Sequence, residues 1–193
     1  MQIKANELKQ LVLWSYELTA LMPAPRMERE KYTIDSRNKF KSLPEALRQM
    51  EDASASVTHF VKSAAYFLTR KEGKGNPQQM MAFTEMLLER VKQLNDGSHE
   101  PGWVREQLKY LIGYANWNAD AVCAILTASA GDRERGMELI RKMLEAELQV
   151  IGATDQVQQV YDLLKGWTKR DGSHQERRPE EQNRDRQQQG RRY

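Results

Sequence analysis

Residues 103–130 read WVREQLKYLIGYANWNADAVCAILTASA, and the period of this stretch decides the fold. Val104, Leu108, Leu111, Ala115, Ala119, Val122 and Leu126 step by four and three residues. At 3.6 residues per turn they form one apolar stripe, the mark of a helix laid on a core. Trp103, Tyr110, Tyr114 and Trp117 form a second stripe. Its centre lies roughly 120° around the helix from the first, at about 100° of turn per residue. Arg105, Lys109, Asn116 and Asp120 fill the remaining polar strip. A helix apolar on two flanks most simply sits at the centre of a bundle, with neighbours on both sides. The aromatic flank is therefore expected to be buried. The functional alternative leaves it open as a subunit interface or a stacking surface for bases. Tyr and Trp suit either role, because each has an apolar body and a polar tip.

The same helical period extends outward in both directions. Leu8, Leu11, Val12, Tyr16, Leu18 and Leu21 predict a first helix that ends at Pro23-Ala24-Pro25. Residues 26–40 read as weakly helical and heavily charged, and no stretch alternates as a strand would. Ser42 and Glu45 form a candidate capping box for a helix over about 43–70, broken near Ser54. Asn76-Pro77 is a helix start, and Met80, Phe83, Leu87, Val91 and Leu94 are the inward stripe behind it. Asn95-Asp96-Gly97 stops that helix, and Gly131 stops the central one. Arg133–Val150 follows with Met137, Ile140, Met143, Leu144 and Leu148 inward. Gly152 closes it, and Thr154 or Asp155 caps a last helix through Val157, Val160, Tyr161, Leu164 and Trp167. Residues 171–193 hold no Leu, Ile, Val, Met or Phe. They cannot bury enough apolar surface to offset ordering entropy, so they read as a disordered charged tail. The expectation is an all-α bundle of five to seven helices over residues 1–170. It divides into an N-terminal part, 1–75, and a bundle part, 76–170.

Composition agrees with one ordinary core. The chain has 193 residues, 39% hydrophobic and 30% charged, with 6 Pro and 11 Gly. No run approaches the roughly 18 apolar residues of a membrane span. Glu7, Lys9 and Glu17 interrupt the first apolar stretch, so it does not read as a secretory signal. One cysteine, Cys123, excludes an internal disulfide and a Cys-rich zinc site. These features predict a soluble, cytoplasmic protein. Lys plus Arg is 30 against 27 Asp plus Glu, a net charge of +3, too small for a stand-alone nucleic-acid binder. Local patches carry more weight than the sum.

Two patches stand out. Residues 26–48 hold Arg26, Arg29, Lys31, Arg37, Lys39, Lys41 and Arg48 against four acids. Residues 62–74 hold Lys62, Arg70, Lys71 and Lys74 against Glu72, beside Tyr66 and Phe67. Lysines and arginines at a glycine-containing loop can contact phosphates while the backbone approaches closely. Arg37, Lys39, Lys41, Arg70, Lys71 and Lys74 are the candidate nucleic-acid contacts. The plainer reading of each patch is a solvated charged face or a helix C-terminus whose dipole the cations complement.

Catalytic signals are weak. The histidines are His59, His99 and His174, and no Glu-x-x-His pair exists, so a di-iron bundle lacks its ligands. Gly73-Lys74-Gly75 lacks the strand, the earlier Gly and the Lys-Ser/Thr pair of a phosphate loop. His59 among Val57, Phe60 and Val61 reads as partly buried, and Cys123 as a small core residue. Glu145 and Glu147, two apart, point to different helix faces. No catalytic residue, metal ligand or cofactor site is assigned.

Two segments, Asn76-Pro77-Gln78-Gln79-Met80 and Leu108-Lys109-Tyr110-Leu111-Ile112-Gly113-Tyr114-Ala115, resemble the small-subunit family of type III CRISPR effector complexes. The resemblance spans roughly residues 76–170 in helix order and residue type. Where that family continues Tyr-Ala with small residues and an Arg, this chain has Asn116-Trp117-Asn118, so that Arg has no counterpart. The chain also adds an N-terminal helical region and the charged tail. The resemblance implies a non-catalytic subunit in antiviral defence, contacting the guide–target RNA backbone beside other protein subunits. The expectation is accordingly a helical subunit of a nucleoprotein assembly, with RNA and protein partners and no membrane. The first alternative is a helical protein-interaction adaptor or homo-oligomeric scaffold without nucleic-acid binding, and the second is a helical enzyme whose site no motif marks.

Overall fold

The computed structural model describes residues 4–34, 43–69 and 77–169. In chain order its elements are α1 (Ala5–Leu21), β1 (Arg26–Glu28), β2 (Lys31–Thr33), α2 (Ala53–Thr69), α3 (Pro77–Leu94), α4 (Pro101–Ala128), α5 (Arg133–Val150) and α6 (Val157–Lys169). A helical turn covers residues 43–46, and a 3-10 turn over Thr154–Gln156 leads into α6. The fold is an all-α bundle carrying a small hairpin.

The central helix α4 is the hub. It packs against α1, α2, α3, α5 and β2. All seven positions of its aliphatic stripe are buried, from Val104 to Leu126. One apolar cluster joins Leu11, Phe60, Leu87, Leu111, Ile140 and Trp167, so residues before and after 76 share a single core. Trp167 on α6 is fully enclosed, and its Nε1 donates to the carbonyls of Met22 at 2.9 Å and Pro23 at 3.2 Å. That pair of bonds ties the end of α6 to the proline-terminated exit of α1, where Pro cannot continue the helix. The polar tip of a buried tryptophan is satisfied in this way rather than left in the core.

Helices α4 and α5 run antiparallel around a tight turn at Gly131 (φ 95°), which only glycine adopts without strain. Asp132 caps α5 by accepting from Arg135 N at 2.9 Å. Gly136 brings the two helices close: a Cβ there would stand 2.4 Å from Ser129 Oγ and 3.5 Å from Leu126.

The structure differs from the sequence reading in three places. Residues 26–33, read as weakly helical, form an antiparallel hairpin pairing Arg26 with Thr33 and Glu28 with Lys31. Its turn puts Arg29 (φ 46°) and Glu30 (φ 67°) in the left-handed region without a Gly or Asn to announce it. Docking overrides local preference here: Tyr32 N donates to Thr127 Oγ1 on α4 at 2.9 Å. The helix expected over 43–70 is interrupted at residues 47–52, ahead of Ser54, where Ser56 Oγ donates to the Leu47 carbonyl at 2.7 Å. The last helix is entered through the 3-10 turn, with Ala153 and no side-chain cap at its start. The candidate caps Ser42 and Asn76, and the tail expected over 171–193, lie outside the described residues.

Candidate interaction surface

The six basic residues expected to touch nucleic acid, Arg37, Lys39, Lys41, Arg70, Lys71 and Lys74, all lie outside the described residues. The aromatic flank of α4 is described throughout, and it corrects the expectation of burial. Trp117 is 67% exposed and Tyr110 43%, while Trp103 and Tyr114 are half-buried against the core. The physical reason is the arrangement of neighbours. The described helices and β2 that pack on α4 bury its aliphatic arc, and among the described residues no element covers Tyr110 and Trp117 on the far side. The rings meet one another instead. Tyr110 and Tyr114 stack at 6.4 Å between centroids, and Trp117 stands edge-on to Tyr114 at 5.6 Å. At the N-terminal end His99 stacks on Trp103 at 3.7 Å.

A second exposed apolar stripe belongs to α5. Leu139, Met143, Ala146 and Val150 step by four, three and four residues, so they share one face. Leu139 is 40% exposed and Val150 86%, with Met143 partly buried. Sequence reading assigns Met143 to the inward stripe, where it is partly buried at the edge, and passes over Leu139, Ala146 and Val150, because the inward stripe already gives α5 a sufficient role. Its spacing is the available signal. Leu126 meets Gly136, and Glu147 is close enough to raise the Tyr114 phenol pKa further, after burial and Tyr110. That register brings Trp117 level with residues 143–146, so the two stripes lie on neighbouring helices.

Beneath this face sits a polar layer. The Tyr16 hydroxyl of α1 donates to the Glu147 carboxylate. Burial first, and the adjacent Glu147 charge second, push the Tyr16 phenol well above its ordinary pKa. Asn118 Nδ2 donates to Ser15 Oγ at 2.9 Å, and Thr19 Oγ1 donates to the Ala115 carbonyl at 3.0 Å. Gln107 continues the spacing between Trp103 and Tyr110, yet it is 1% exposed and neither amide atom has a hydrogen-bond partner among the described residues. Sequence reading misses it, since Gln at that position looks like surface.

The charges bordering the face are mixed. Glu106 is held by Lys109 at 2.6 Å, Lys142 lies 3.8 Å from Glu138, and Glu147 is taken by Tyr16. Among the described residues no unbroken row of cations lines the rings, as contact with a phosphate backbone would require. Elsewhere the weak catalytic candidates have structural settings. His59 meets the Gln49 side chain at 3.1 Å, Cys123 is buried, and Glu145 pairs with Arg141 while Glu147 faces α1. Among the described residues no group of three His, Cys, Asp or Glu could hold a metal ion. A cleft between α2 and the start of α4, lined by Ser54, Val57, Thr58, Asn95, Pro101 and Val104, has no ionisable side chain among the described residues of its wall. No described helix is long and apolar enough to cross a membrane. No protein-family model, curated protein or solved structure matches the chain.

Proposed function

We propose that this chain is a non-catalytic helical subunit that works by assembling with other protein chains, through the Trp117 face of α4. The observation that carries the reading is the 67% exposure of Trp117 at the end of a row of aromatic rings in contact with one another. Leaving an indole in water forgoes the favourable transfer of a large apolar surface. Exposed aromatics in a group, beside the exposed aliphatic stripe of α5, are the composition of interface anchors. The test is Trp117→Ala. The monomer keeps its helical content and melting point, and the native mass of the assembled form collapses to that of the single chain. A variant that still assembles like the parent removes the proposal.

A nucleoprotein setting is the second reading. It is supported by the resemblance of residues 76–170 to the type III CRISPR small subunits and by the hub position of the helix that contains Leu108–Ala115. In that setting Arg37, Lys39, Lys41, Arg70, Lys71 and Lys74 hold the RNA backbone without reading sequence. Replacing Arg70, Lys71 and Lys74 together then lowers the slope of log affinity against log salt. On a single strand the decrease is roughly 0.7 for each phosphate that is no longer neutralised. Indifference of the protein and its assembly to single-stranded RNA at low salt leaves the adaptor reading alone.

A further inference from the structure

The open side of α4 is asymmetric along its length. Tyr110, Tyr114 and Trp117 fill its first half, and Ala121, Ala124 and Ala128 continue the same 4-3-4-3-4 spacing through the second. Tyr110, Trp117, Ala124 and Ala128 are exposed, and Tyr114 and Ala121 are half-buried. A 3.5-residue period is the seam along which two helices pack side chain into gap. Large residues at one end and small ones at the other match the same seam turned end for end.

We infer that the face is occupied by a second copy of this chain, with the two α4 helices antiparallel about a twofold axis beside residue 119. This inference rests on the assembly function proposed above and names its partner. The register follows from the spacing. Trp117 of one copy lies over Ala121 of the second, Tyr114 over Ala124, and Tyr110 over Ala128. Each ring fills the space that an alanine leaves, and the twofold makes every such pair occur twice, as an isologous interface requires. Gly113 adds to the fit, because a Cβ there would meet nothing within 4 Å and the site stays open for a neighbour's side chain. The axis also places the exposed stripe of α5 opposite its own copy, with Met143 near the centre.

The occupant is chosen over the alternatives on size and chemistry. The seam from Tyr110 to Ala128 is about 27 Å long at 1.5 Å per residue. With the α5 stripe beside it, across helices spaced ~10 Å apart, it offers on the order of 600 Å² per copy. That reaches the low end of specific interfaces, about 1,200 Å² in total, and fits a reversible dimer rather than a permanent one. Residues 171–193 of the chain itself have no Leu, Ile, Val, Met or Phe to fill the face. A base-stacking ligand finds no row of cations among the described residues beside the rings to hold its phosphates.

The test uses the full chain in sedimentation velocity over a wide concentration range, with circular dichroism to confirm folding. The parent is a concentration-dependent dimer. Trp117→Ala and Ala121→Trp each raise the dimer dissociation constant by about tenfold or more, one by emptying the seam and one by a clash. The double variant, Trp117→Ala with Ala121→Trp, exchanges ring and gap in both copies and recovers the dimer. That recovery is specific to the proposed register. A dimer indifferent to both single changes overturns the inference. So does a monomer at all concentrations. In that case, loss by Trp117→Ala of a complex with another protein or with RNA leaves an assembly role standing with a different occupant. If no complex forms at all, the assembly function falls as well.

Discussion

The two arcs of α4 present similar amounts of apolar side chain and do opposite things with it. Leu108 and Leu111 are wholly enclosed, whereas Trp117, six residues beyond Leu111, has two-thirds of its surface in water. Both rows follow helical spacing, so periodicity cannot separate them. What separates them is the number of covering elements. The helices and β2 pack on α4, and the burial they produce falls on the aliphatic arc. Apolar spacing thus reports that a face is built for packing, and tertiary coverage decides whether the chain packs it internally.

The contrast is broken most forcefully from the buried side. Leu111→Ala empties a fully enclosed site where α4 meets the rest of the core. The expected loss is about 2–5 kcal/mol, from forfeited transfer energy together with a residual cavity. Denaturant or thermal unfolding measures it. A loss below about 1 kcal/mol would mean that this arc is looser than its enclosure indicates.

The α4 helix and its aliphatic stripe were legible because a seven-position row at helical spacing admits one structure. The helices around it were legible for the same reason, with Pro23-Ala24-Pro25, Gly131 and Gly152 as their limits. The hairpin was hidden because Arg29 and Glu30 carry a left-handed turn without the usual residues, and it docks on α4 through the distant Thr127. Burial of Gln107 and exposure of Trp117 were hidden for a shared reason. Side-chain type gives an average preference for inside or outside, and these two positions depart from it. Departures of that kind are set by neighbours far along the chain, such as α1 and α5.

The polar layer between the arcs is tested with alkali. The folded state holds the Tyr16 phenol protonated to a higher pH than the ordinary value near 10 of an unfolded chain. The contribution is therefore fully present below about pH 10 and is lost as pH rises towards the folded value, since only the unfolded chain releases that proton. Stability of the parent falls with pH above about 10. Tyr16→Phe reduces that slope and costs about 1–3 kcal/mol at neutral pH, because it leaves Glu147 without its phenol donor. Unfolding curves at pH 7 and pH 10.5 for both proteins decide the matter. Parallel losses in the two would place the alkaline sensitivity on other tyrosines.

Gly113 sharpens the exposed side. It lies within α4, and nothing surrounds the position a Cβ would take. Mid-helix glycine is worse than alanine by about 0.5–1 kcal/mol. Gly113→Ala is therefore expected to stabilise the isolated monomer by about that amount. Measured below the concentration at which the chain associates, its melting point rises. A fall would reveal that the single chain already fills this position.

The smallest effect is the most discriminating. Trp117→Ala and Trp167→Ala remove the same side chain from the same bundle. At Trp167 the indole is enclosed and its Nε1 holds the carbonyls of Met22 and Pro23, so truncation costs about 3–5 kcal/mol. At Trp117 the ring rests edge-on against Tyr114 and is otherwise largely in water. Its removal from the monomer forfeits that aromatic pairing, about 0.5–1.5 kcal/mol at most. Alanine's better helix propensity returns part of it. The net change is expected within about 0.5 kcal/mol of zero, as for surface positions generally. Thermal melts of the two variants, at a concentration where the parent is monomeric, give the comparison directly. A Trp117→Ala loss approaching that of Trp167→Ala would show that the aromatic arc supports the monomer's own fold, and its exposure would then need another explanation than assembly.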